Sequence, residues 1–62
     1  MAYAELSRNM GVSYYFKGDY EKAASLYYTA ARIYERAGKE QPLAYVYNDI
    51  DKLFRKNRDL KR

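Results

Sequence analysis

Residues 10–30, MGVSYYFKGDYEKAASLYYTA, decide how this chain folds. At their centre stands Lys17-Gly18-Asp19-Tyr20. A glycine there supplies the left-handed residue that ends one helix, and the aspartate after it caps the next. A second break comes at Ala37-Gly38-Lys39-Glu40-Gln41-Pro42, with Gly38 as helix stop and Pro42 in the first turn of the next helix. The breaks leave three segments, about 2–17, 20–37 and 42–60. Each carries helical periodicity, and none alternates with the period of a strand. The expectation is an all-α, three-helix bundle in one domain spanning 1–62.

The apolar spacing assigns a face to each helix. In the first segment Tyr3, Leu6, Met10 and Tyr14 recur at three and four, with Gly11 beside them. In the second, Tyr20, Ala23, Tyr27, Ala30 and Tyr34 form the stripe. Ala24, Ala31, Leu26 and Ile33 widen it, which makes this helix the central one, touched on two sides. In the third, Leu43, Val46, Tyr47, Ile50, Leu53, Phe54 and Leu60 line up, opposite a polar face with Asp49, Asp51, Lys52 and Lys56. Asp51/Arg55 and Asp49/Lys52 stand at spacings that allow ion pairs.

Composition narrows the chemistry. The 62 residues contain no cysteine and no histidine, so disulfides, thiol–imidazole pairs and the usual zinc ligands are excluded within this chain. Asp49, Asp51 and Asp59 are scattered, Glu5, Glu21 and Glu35 fall on separate faces or helices, and there is no glycine-rich phosphate loop. An enzyme is not expected, nor a cofactor or metal. No apolar run approaches the roughly 20 residues of a membrane span, and the absence of cysteine fits a cytoplasmic setting. Nine tyrosines against two phenylalanines and no tryptophan make rings and alanines the expected core material. Tyr14, Tyr20, Tyr27 and Tyr34 read as core, whereas Tyr15, Phe16, Tyr28 and Tyr45 fall off the main stripes and are open to an interface role.

Charge is segregated. Residues 1–50 balance, and the whole formal charge of +4 resides in residues 51–62, through Lys52, Arg55, Lys56, Arg58, Lys61 and Arg62. Such a basic end suits an acidic partner, a lipid surface or phosphates, with steep salt dependence. Cations at a helix C-terminus also complement its dipole. With no aromatic interleaving and no nucleic-acid motif, nucleic acid is an unfavoured partner.

Met10-Gly11, Tyr14, Gly18-Asp19-Tyr20, Ala23, Tyr27 and Ala30 together resemble one tetratricopeptide repeat, a 34-residue helical hairpin, over about residues 4–35. The resemblance implies a close crossing where Gly11 meets Ala23, and a third helix that closes the hairpin. It departs from the family pattern at Ser7, where a large apolar residue is usual, and at Glu35, where proline is frequent. It also implies a protein–protein interaction module whose first helix lines a peptide groove, placing Glu5, Arg8, Val12, Tyr15 and Phe16 there. Arg8 could meet a partner carboxylate. The same Val12, Tyr15 and Phe16 could instead be covered by a second copy in a homo-oligomeric scaffold. The run from Asp19 to Ala30 is similar as well to microtubule-interacting-and-trafficking (MIT) domains. That likeness implies a membrane-remodelling filament protein as partner, packed between the second and third helices against Leu26, Tyr28, Ala44 and Tyr47.

Overall fold

The computed structural model describes residues 2–60, with the backbone alone at Ala2 and Leu60. It contains three helices, α1 (Ala2–Lys17), α2 (Tyr20–Ala37) and α3 (Glu40–Leu60), and no strand among the described residues. The chain is thus an all-α three-helix bundle. Extents of 38 × 16 × 12 Å fit three helices packed as a triangle, about one helix long. Within it α2 is central: α1 and α3 each pack along α2 and scarcely touch one another.

Both connections use one local device. Gly18 has φ of 87° and Gly38 has φ of 70°, a region that side chains other than glycine rarely enter. The Gly18 N–H donates to the Tyr15 carbonyl at 3.1 Å and the Asp19 N–H to that of Tyr14 at 3.0 Å. At the second turn Gly38 donates to Glu35 at 3.2 Å and Lys39 to Tyr34 at 2.9 Å. These paired bonds satisfy carbonyls that the helix end leaves without partners and reverse the chain within two residues. The Asp19 carboxylate then accepts from the Lys22 N–H at 3.3 Å, capping α2 as expected.

The first two helices have the bounds read from sequence. The third begins two residues earlier, at Glu40 rather than Pro42. Pro42 falls within the first turn, where an N–H has no intrahelical acceptor anyway, so its missing donor is no obstacle. The first helical bond runs from the Leu43 N–H to the Lys39 carbonyl at 3.3 Å.

The core consists of Ala4, Ala23, Tyr27, Ala30, Ala31, Tyr34, Val46, Ile50 and Leu53, with Leu53 and Val46 the largest fully enclosed side chains. Tyr27 and Tyr34 are buried and Tyr14 and Tyr20 are half-buried against them, as the period of the sequence predicts. The predicted crossing is present too. A Cβ built on buried Gly11 would lie 2.8 Å from two ring carbons of Tyr27 and 3.3 Å from the Ala23 carbonyl oxygen.

The inward face of α1 differs from the expectation. Ala4, Ser7 and Gly11 point inward, while Tyr3, Leu6 and Met10 are exposed and Tyr14 is half-buried. The apolar residues of α1 are spread around the helix and do not select a face by themselves. Contact instead runs along the narrowest line of the helix, where Gly11 lets backbone approach backbone. Ala4 and Ser7, seven and four residues earlier, lie on that line. On α3, Tyr47 and Phe54 stand at the edge of the stripe and stay about half exposed. Asp49, expected among the solvated residues, turns toward α1.

Candidate interaction groove

Two reversals of direction leave α1 and α3 parallel and side by side, with α2 behind them. Because they scarcely touch, a groove of about 280 Å³ opens between them. Val12, Tyr15 and Phe16 from α1, Tyr27 from α2, and Asp49 and Lys52 from α3 line it. The Tyr15 ring is wedged edge-on between Phe16 at 5.4 Å and Tyr20 at 5.6 Å. Phe16 is left on the lip, 80% exposed.

The Arg8 Nε donates to Asp49 Oδ2 at 2.7 Å, and this ion pair clasps α1 to α3 at one end of the groove. Arg8 is therefore engaged with a carboxylate of the chain itself. The Tyr27 phenol lies near this pair. Burial, then the Asp49 charge, push its pKa up to about 12, with Arg8 acting in the opposite direction.

Of the residues assigned to a partner surface, Val12, Tyr15 and Phe16 meet in the groove. Glu5 is exposed and does not line it. The four described basic residues stand in different surroundings. Lys52 borders the groove, Arg55 pairs with Asp51 at 3.2 Å across exposed surface, and Lys56 and Arg58 are exposed. At about 100° per residue, these four cations are spread over roughly half the circumference of α3. Lys61 and Arg62 lie outside the described residues. Asp49 and Lys52 were not read as groove residues from sequence. Their one signal is the three-residue spacing between them, and placing that edge against α1 requires the tertiary arrangement.

A second hollow, of about 320 Å³, lies on the other flank of α2, lined by Tyr28, Ala31, Arg32, Glu35 and Tyr47. Here the Tyr47 hydroxyl donates to Glu35 Oε2 at 3.0 Å, which holds the Tyr47 pKa above its ordinary value. The four residues expected to seat a partner helix are thereby divided. Tyr28 and Tyr47 share this hollow, Ala44 is exposed elsewhere, and Leu26 lies on the opposite flank with Met10, Tyr14, Lys22 and Ser25.

Among the described residues no group of three carboxylates could hold a metal ion, and no helix is long and apolar enough to cross a membrane. Compared with known proteins, the chain matches no family model, no curated protein and no solved structure.

Proposed function

We propose that the chain is a non-catalytic interaction module that seats a short partner segment in the groove between α1 and α3. One observation carries this reading: Val12, Tyr15 and Phe16 converge on a single groove, and its most prominent ring, Phe16, is 80% exposed. A large ring held at the lip of a concave surface is the kind of anchor on which binding energy concentrates. Tyr15, fixed by two neighbouring rings, gives a rigid wall that loses little freedom when a ligand arrives. Lys52 is free to meet an acidic group on the partner, whereas Arg8 and Asp49 neutralise one another.

Peptides selected from a random library against the folded chain test the reading by chemical-shift mapping. The expected shifts centre on Val12, Tyr15 and Phe16, and Phe16→Ala weakens the selected peptides at least about tenfold. Peptides that leave those residues unmoved overturn it.

A second reading is favoured by the Tyr28–Tyr47 hollow, which suits one turn of a partner helix in the manner of an MIT domain. Shifts at Tyr28 and Tyr47, abolished by Tyr47→Ala and indifferent to Phe16→Ala, select it.

A further inference from the structure

At the floor of the groove stands a hydroxyl that the fold leaves unused. Tyr27 is 2% exposed, and its ring lies against Gly11 at the crossing of α1 and α2. Its hydroxyl takes part in none of the side-chain hydrogen bonds among the described residues. Yet no enclosed side-chain oxygen or nitrogen among them lacks a partner. The Tyr27 hydroxyl is therefore not enclosed, and because the residue lines the groove, it opens there. A buried side chain that keeps its polar atom unpaired is uncommon, since buried polar groups are normally bonded. The Tyr15 hydroxyl, on the adjoining wall, is likewise unbonded within the chain.

A phenol can donate or accept, and the charges around it decide which a ligand meets. Burial, then Asp49, hold the Tyr27 proton in place far above neutral pH. From α1 the charge at the groove is Arg8, which Asp49 of α3 neutralises at 2.7 Å. From α2 only Tyr27 lines it, and Tyr27 carries no charge. From α3 comes Lys52, which enters neither of the two ion pairs among the described residues. One turn further on stands Lys56, another cation. Glu5 and Asp59 are exposed and lie seven residues from Val12 and Lys52, about 10 Å away along their helices. The floor thus offers hydroxyl donors beside one unpaired ammonium.

We propose that the groove floor is a subsite for one carboxylate of the partner segment, which accepts a hydrogen bond from the Tyr27 hydroxyl and pairs with Lys52. An apolar residue of the same segment covers Phe16. A carboxylate brings a single charge to the single unpaired cation of the lining, whereas a phosphate dianion would set its second charge against Asp49. The subsite belongs to the groove already described and rests on that reading.

Acetylated and amidated heptapeptides of random sequence, which have no terminal charges, test it. Peptides selected on the folded chain are expected to carry Asp or Glu at a constant spacing from a large apolar residue. Replacing that acid by its amide should weaken binding about tenfold. The same replacement should cost less than about threefold in Tyr27→Phe and in Lys52→Gln. Tyr27→Phe keeps the ring against Gly11; should it fail to fold, Lys52→Gln, at an exposed position, carries the comparison alone. A parallel library with free C-termini separates the two sources of the group: selected peptides keep the acidic side chain if it fills the subsite, and replace it by the chain end if that does. Peptides that lose affinity in Phe16→Ala but carry no acid, or tolerate its amide, overturn the subsite and leave the groove reading standing. So does an acid whose replacement costs as much in Tyr27→Phe and Lys52→Gln as in the wild type. No binding, or binding indifferent to Phe16→Ala, overturns both.

Discussion

The two seams of this small bundle are built on opposite principles. Between α1 and α2 the contact runs through Gly11, Ala23 and the flat ring of Tyr27, with Ala4 and Ser7 on the same line. Between α2 and α3 it runs through Val46, Ile50 and Leu53, three branched aliphatic side chains on one stripe. The first seam is stabilised by how closely two backbones approach, the second by how much apolar volume leaves water. One is therefore vulnerable to atoms added, the other to atoms removed.

The largest expected effect tests the second seam. Leu53 is 1% exposed, so Leu53→Ala should cost about 3 kcal/mol, read as a lower midpoint of urea unfolding. In so short a chain that is a large part of the total stability. Gly11→Ala tests the first seam. An exposed helical glycine would gain about 1 kcal/mol from this change. Here the new methyl would meet the buried Tyr27 ring at 2.8 Å, so a net loss of about 1–2 kcal/mol is expected. A gain would break the comparison.

High pH probes the same ring without a mutation. The Tyr27 phenol has its pKa raised from 10.0 to about 12 in the folded state. Its neutral form is favoured by folding, and that contribution is fully present below the unfolded value. It is lost as pH rises from 10 through about 12, so stability tracked by circular dichroism should fall across that window. Asp49→Asn should narrow the window, because the Asp49 charge helps to hold the phenol neutral.

The Arg8–Asp49 clasp is expected to be smaller in effect. With the Arg8 side chain 36% exposed, solvent screens the pair, and a double-mutant cycle should return about 0.5–1 kcal/mol. Smallest is Phe16→Ala, expected to change stability by under about 0.5 kcal/mol while removing partner binding. A larger loss would assign Phe16 to the fold rather than to the groove.

How much of the structure was legible depended on the range of each signal. The turns at Gly18 and Gly38 are written in adjacent residues, so the bounds of α1 and α2 could be read, and the Gly11–Ala23 crossing was legible from small residues at matching places. The start of α3 was read two residues late because proline marks a first turn without fixing its position in it. The facing of α1 was misread because large apolar side chains dominate a periodicity count, whereas contact here runs along the smallest ones. Val12, Tyr15 and Phe16 could be read together because they share a face of one helix. Their partners Asp49 and Lys52 could not, because Arg8 and Asp49 are 41 positions apart on helices that scarcely touch.

Each of α1 and α3 is held mainly by α2, and hardly at all by the other. Either can then peel away while the other stays docked. Amide hydrogens of α2 should exchange slowest, and those of α1 and α3 should report two separate openings of lower free energy. The carboxylate–guanidinium link across the groove is what lets the fraying of one outer helix be felt by the other.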